Sequence, residues 1–128
     1  MARTPVISTA LLGLMDGRDH HAWTLDDFQA ALADRGFVAD FSTIFRAAEK
    51  LVVDRLIVKV QVDDGRARFE LAGDHHDHLH CTRCDELVAV PCVIERDACS
   101  ALETEIGVAI SEHRVILRGL CAKCRAQK

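Results

Sequence analysis

A chain of 128 residues, 49% hydrophobic and 28% charged, has the apolar content of one folded domain or two small ones, which excludes a disordered chain. Aromatic residues make up only 5%, with no tyrosine, so its core must be largely aliphatic. A formal net charge of -4 does not announce a nucleic-acid binder, and any affinity for DNA must come from local charge placement or from bound cations.

In chain order, Val6, Ala10, Leu11 and Leu14 recur at helical spacing over residues 4–15, with Thr4-Pro5 as N-cap and first-turn proline. This stretch is not read as a secretory signal, because Asp16, Arg18 and Asp19 follow it without a small-x-small cleavage site. No segment approaches transmembrane length, so the expectation is a cytoplasmic protein without membrane contact. A second helix starts at the N-cap Thr24, with Asp27 completing an imperfect capping box. It places Leu25, Phe28, Ala31 and Leu32 on one face and ends at Gly36. A third helix is expected from the N-cap Ser42 to about Val53, with Ile44, Phe45, Ala48 and Leu51 facing the core. Residues 56–62 and 68–71 read as strands joined at the Asp64-Gly65 turn. Three helices and a hairpin follow the order of a winged helix-turn-helix, with a small α+β core with no role at DNA as the bland alternative.

Ala72-Gly73-Asp74 is a composition break. It marks a hinge (72–74) between a predicted winged-helix domain (1–71) and a second domain (75–128) that carries the histidine and cysteine motifs. The fold class is therefore α+β, an N-terminal winged helix-turn-helix plus a small C-terminal α/β domain with a four-cysteine zinc site. In that second domain, strands are expected at His78–Cys81, Glu86–Val90 and Arg114–Leu117, with a helix opening at Pro91 and ending near Ile106.

Two Cys-x-x-Cys pairs carry the strongest chemical signal. Cys81 with Cys84, and Cys121 with Cys124, stand on either side of residues 85–120. Together they supply four thiolates, a closed tetrahedral shell suited to structural zinc. A disulfide or redox pair is the competing reading, disfavoured in a reducing compartment. Cys92 and Cys99 lie seven apart on the expected helix and read as buried, apolar thiols.

The segment His75-His76-Asp77-His78-Leu79-His80 is the second signal. Alternation along a strand would send His76, His78 and His80 one way and His75 and Asp77 the other. Imidazole with carboxylate suits zinc, iron, nickel or manganese better than calcium. Glu70, His20, His21 and His113 are available as partners from elsewhere in the chain. A site joining Glu70 or His21 to His76 and His78 would let metal bias the inter-domain arrangement. The bland alternative is a solvated histidine-rich turn.

These residues together resemble the ferric uptake regulator (Fur) family of bacterial metal-sensing repressors. The likeness runs from about Trp23 to Cys124. Ser42-Thr43-Ile44-Phe45-Arg46-Ala47-Ala48-Glu49-Lys50-Leu51 resembles the family's recognition helix, with Phe45 where tyrosine is usual. Residues 65–71 resemble its wing and hinge, and His75 through Cys84 its metal signature. The family's Thr-x-Gln-Arg near the first helix is replaced by Thr4-Pro5-Val6-Ile7.

The resemblance implies a homodimer joined through C-terminal sheets that represses genes from a palindromic operator in double-stranded DNA when its co-repressor metal is bound. It implies structural Zn2+ at Cys81, Cys84, Cys121 and Cys124. A regulatory divalent metal (Fe2+, Zn2+, Mn2+ or Ni2+) would take His21, Glu70, His76 and His78, with His20 an alternative to His21. A second metal would take His75, Asp77, Glu95 and His113. DNA contacts would fall to Ser42, Thr43, Phe45, Arg46 and Lys50, of which Arg46 and Lys50 share a helix face. Such a protein is not an enzyme, and no nucleophile-base constellation suggests one. The competing functions are a peroxide-sensing regulator of the same family and a metal-storage or delivery protein without DNA binding.

Overall fold

In the computed structural model, residues 4–16, 22–62, 64–73, 76–92, 94 and 96–127 are described. The chain forms two compact units, residues 1–73 and 74–128.

Unit 1 contains α1 (Thr4–Met15), α2 (Leu25–Asp34), α3 (Phe41–Val53), β1 (Ile57–Gln61) and β2 (Ala67–Leu71). Its first helix buries Ile7, Leu11, Leu14 and Met15, while Val6 is exposed and Ala10 half-buried. The expected apolar stripe is thus rotated by one residue at its start. The α2 capping box is complete: Asp27 N–H donates to Thr24 Oγ1 at 3.1 Å, and Thr24 N–H donates to an Asp27 carboxylate oxygen at 3.0 Å. A cap of this kind contributes about 1 kcal/mol. Gly36, at φ 83°, takes the left-handed conformation that lets the chain leave α2.

The third helix starts earlier than expected. Its N-cap is Asp40, whose carboxylate accepts the Thr43 N–H at 2.8 Å; Ser42 lies inside the helix with its hydroxyl toward the same carboxylate. Hydrogen bonding from the Thr43 side chain, with that from its N–H, holds the Asp40 carboxyl below its usual range. The α3 core face is Thr43, Ile44, Ala47, Ala48 and Leu51, so Phe45 points out, 42% exposed.

The two strands pair antiparallel from Ile57↔Leu71 to Gln61↔Ala67. Trp23 extends this sheet by one rung, exchanging backbone hydrogen bonds with Phe69 at 2.7 and 2.8 Å. That brings Trp23 onto Phe28 (ring centroids 5.2 Å apart, stacked), and Phe28 also packs against Phe69 at 6.2 Å. Three aromatic rings therefore sit between the helices and the hairpin in an otherwise aliphatic core.

Unit 2 contains β3 (Asp77–Cys81), β4 (Leu87–Val90), α4 (Arg96–Ile106), β5 (Ile116–Gly119) and α5 (Ala122–Ala126). The sheet order is β4-β3-β5, antiparallel across β3–β4 and parallel across β3–β5. Two elements are shifted by more than one residue from expectation, and a third was not expected. The fourth helix starts at Arg96, not Pro91; β5 starts two residues later than Arg114; and α5 gives no periodic signal because it has only five residues. No helix among the described residues is long and apolar enough to cross a membrane.

Candidate metal centres

Strand register places metal-ligating side chains at both ends of the unit 2 sheet. At one end, β3 runs out at Cys81 opposite Gly119 of β5, so the turn after β3 meets the segment that follows β5. Cys81, Cys84, Cys121 and Cys124 converge there, with their sulfurs all within 4.8 Å of one another. Cys84 and Cys121 sulfurs are 3.8 Å apart.

Each pair is built in the same way. The Cys84 N–H donates to Cys81 Sγ and the Cys124 N–H to Cys121 Sγ, both at 3.5 Å. Cys121 is also the N-cap of α5, so its sulfur lies where free amide groups favour negative charge. Thr82 N–H donates to Gly119 O at 2.8 Å, and Arg83 Nη1 to Cys124 O at 3.0 Å, tying the two pairs together. The backbone N–H of Cys84, with that of Cys121, pulls the Cys81 thiol down to about 6. Burial pushes the Cys124 thiol up to about 12. Four converging sulfurs, two receiving N–H bonds within their own pairs, fit a tetrahedral soft-to-borderline metal, and loading would displace protons from Cys84 as well as Cys124, both held above the ordinary thiol value.

The other end of the sheet holds Asp77, which opens β3 opposite Val90, the last residue of β4. The chain leaving β4 thus passes beside Asp77 at Pro91-Cys92. His113 precedes β5, whose first residue Ile116 pairs with His78. Asp77, Cys92 and His113 each offer a ligand atom within 4.8 Å of the others. Asp77 is 1% exposed, and Val115 N–H donates to its Oδ1 at 3.3 Å.

Cys92 corrects the sequence reading. It is neither helical nor buried: it lies in the connection before α4, exposed, with its sulfur 3.2 Å from His113 Nε2. Cys99 is half-buried on α4 and shares no helix with Cys92. Sequence reasoning missed Cys92 because a helix was assumed from Pro91 onward. Antiparallel pairing of β3 with β4 was the available signal, since it sets the residues after Val90 next to Asp77.

The remaining expected ligands stand as follows. His78 is buried on β3, and His76 lies just before that strand, its ring 4.8 Å from the His78 ring. His80 is also buried, with Nε2 3.3 Å from Asp85 Oδ1. Glu70 is buried on β2 of unit 1, opposite Val58. His20, His21, His75 and Glu95 lie outside the described residues.

On α3, Ser42, Phe45, Arg46 and Lys50 are exposed, whereas Thr43 is 5% exposed and faces inward, its hydroxyl 3.4 Å from Arg46 Nη2. Burial removes Thr43 from a direct role at an external ligand. Lys50 pairs with Asp54 at 3.3 Å and Lys59 with Glu49 at 3.1 Å, with Lys59 Nζ 5.6 Å from the centre of the Phe45 ring. Such exposed pairs are worth about 1 kcal/mol or less and leave Arg46 and Lys50 able to exchange partners.

Known proteins match this chain over nearly its whole length. The ferric uptake regulation protein of Bordetella parapertussis is 28% identical over 118 residues, covering 90% of this chain and 84% of its own. The ferric uptake regulator of Vibrio cholerae, whose structure was described as showing a rearrangement of its DNA-binding domains, superposes with a TM-score of 0.78 at 20% identity, covering 91% of this chain and 89% of its own. The Helicobacter pylori ferric uptake regulator, described with three functional metal-binding sites, gives 0.82 at 14% identity, covering 96% and 82%. The family model for ferric uptake regulators matches residues 8–118, a span crossing both units from α1 to β5, and the chain belongs to the ferric uptake regulator family.

Proposed function

We propose that this protein is a cytoplasmic, dimeric, metal-dependent repressor that binds a palindromic operator in double-stranded DNA and controls metal homeostasis genes. The observation that carries it is the pairing of an exposed cationic helix face in unit 1 with two groups of metal-ligating side chains at opposite ends of the unit 2 sheet. Unit 1 is read as a winged-helix DNA-binding domain, in which α3 enters the major groove and the β1–β2 hairpin is the wing. Arg46 and Lys50 share one α3 face and meet phosphate or base edges there, with Ser42 at the helix start and Phe45 beside them.

Residues 72–74 are the proposed hinge. Cys81, Cys84, Cys121 and Cys124 hold structural Zn2+. Glu70, His76 and His78, with His21, hold the regulatory divalent metal (Fe2+, Zn2+, Mn2+ or Ni2+), and His75, Asp77, Glu95 and His113 a second one. A bound cation supplies the local positive charge and fixed ligand geometry that favour one arrangement of the two units over others. Only the arrangement that spaces two recognition helices to match an operator's half-sites binds tightly. Self-association is supported by apolar side chains left exposed in unit 2: Leu102 and Ile106 on α4, with Val108, Leu117 and Leu120.

Genomic fragments enriched by the purified protein provide the operator for the test. Arg46→Ala should weaken binding to that operator by about 1–3 kcal/mol while leaving the fold intact, because Arg46 is exposed. Fluorescence anisotropy with labelled duplex measures it. Unchanged affinity in a folded variant would remove α3 from the interface.

A further inference from the structure

The cluster at the open end of the unit 2 sheet is chemically unlike a site of imidazoles and carboxylates alone. We propose that Cys92 is a metal ligand there, joining Asp77 and His113 in a mixed sulfur, nitrogen and oxygen site that selects zinc. This rests on the reading that Asp77 and His113 hold a second metal, and it goes further by assigning the thiolate and the selectivity that follows.

Three observations carry it. The ligand atoms of Asp77, Cys92 and His113 lie within 4.8 Å of one another, close enough to share one ion without moving a strand. The Cys92 sulfur is in hydrogen-bond contact with His113 Nε2 at 3.2 Å, so the two ligand atoms already face each other and need only a small separation to share one ion. Asp77 is buried and oriented by the Val115 N–H on Oδ1, so its carboxylate is held in place before any ion arrives.

The Cys92 sulfur also stands 3.2 Å from Ile94 O, a contact in which the thiol donates its proton. On metal binding the S–H bond breaks, the proton passes to solvent and the sulfur lone pair forms the bond to the ion; no electron is transferred. A thiolate favours zinc or cobalt over manganese, for which oxygen-rich shells suffice. The end of the sheet is exposed at Cys92, so the ion has a path in.

The test uses full-length protein whose four-cysteine site is loaded with Zn2+, titrated with Co2+ as a spectroscopic probe. Wild type, Cys92→Ser and His113→Ala are compared by absorption and by mass-spectrometric alkylation of Cys92. The expected result is a sulfur-to-cobalt charge-transfer band in wild type that is missing in both variants. Cobalt affinity at this site should fall by about tenfold or more in each variant. Cobalt should also shield Cys92 from alkylation, and Mn2+ should compete poorly. If cobalt binds without that band, equally in wild type and Cys92→Ser but not in His113→Ala, the second site stands and the sulfur assignment is overturned. If neither variant changes cobalt uptake, both are overturned.

Discussion

Stripping divalent metal from the full-length chain should unfold unit 2 and leave unit 1 folded. The two units differ sharply in what holds them together. Unit 1 has a continuous cluster that includes Ile7, Leu11, Phe28, Leu32, Ile44, Leu51, Ile57 and Phe69, all nearly inaccessible to water. Among the described residues of unit 2, the buried cluster is Cys81, Cys121 and Cys124 with Val88 packed against it, and Leu87 is the other buried apolar side chain. Its further buried groups, Asp77, His78 and His80, are polar and cost free energy to desolvate. An apolar core that small cannot offset the chain entropy of ordering so short a segment.

Structural zinc contributes about 10–16 kcal/mol in zinc-finger peptides at neutral pH, more than enough to reverse that balance. Cys81→Ser should therefore lower bound zinc by one ion per chain and abolish the thermal transition of unit 2. The single tryptophan makes the two units separable: Trp23 is stacked on Phe28 inside unit 1, so its fluorescence reports that unit. The expected record is a retained Trp23 transition beside a loss of far-ultraviolet circular dichroism, reversed by returning Zn2+ to chelated wild type. Full retention of unit 2 structure after complete chelation would show that the cysteines are dispensable for folding.

The second large effect is expected from Phe28→Ala. Phe28 is inaccessible and is the middle of the Trp23–Phe28–Phe69 stack that joins α2 to the hairpin. Removing it leaves a cavity between rings fixed by the Trp23–Phe69 backbone hydrogen bonds, which limits collapse of the site. The cost should be about 3–5 kcal/mol, a large share of the stability available to a unit of this size. Urea unfolding followed by Trp23 fluorescence measures it, and the metal content of unit 2 should be unaffected. A change below about 1 kcal/mol would mean that the neighbouring side chains close the gap.

Much of this architecture is legible in the residues because local chemistry and tertiary structure agree. The Thr24–Asp27 capping box, the Asp64-Gly65 turn and the two Cys-x-x-Cys pairs each specify a local geometry that the fold keeps. Where the reading fails, two local solutions compete. Asp40 and Ser42 can each cap a helix, and Asp40 wins because Phe41 is already helical. Pro91 fits a first helical turn, yet Pro91 and Cys92 are not helical and helix begins only at Arg96, which turns Cys92 from a core thiol into a neighbour of His113. Phe45 fits helical spacing as a core residue but falls one position from the buried face defined by Ile44, Ala47, Ala48 and Leu51. Five-residue α5 depends on its Cys121 cap and on the cysteine pair, so no periodicity could reveal it.

The decisive measurement is binding of the intact protein to fragments of the source genome, run anaerobically with each of Fe2+, Zn2+, Mn2+ and Ni2+ and again after mild chelation that spares the four-cysteine site. Enrichment of one palindromic sequence with a particular metal, lost on chelation and restored by that metal, is the predicted result. Protein that stays folded and dimeric yet selects no sequence under any metal would contradict a metal-dependent repressor, and metal delivery would then be the function to test.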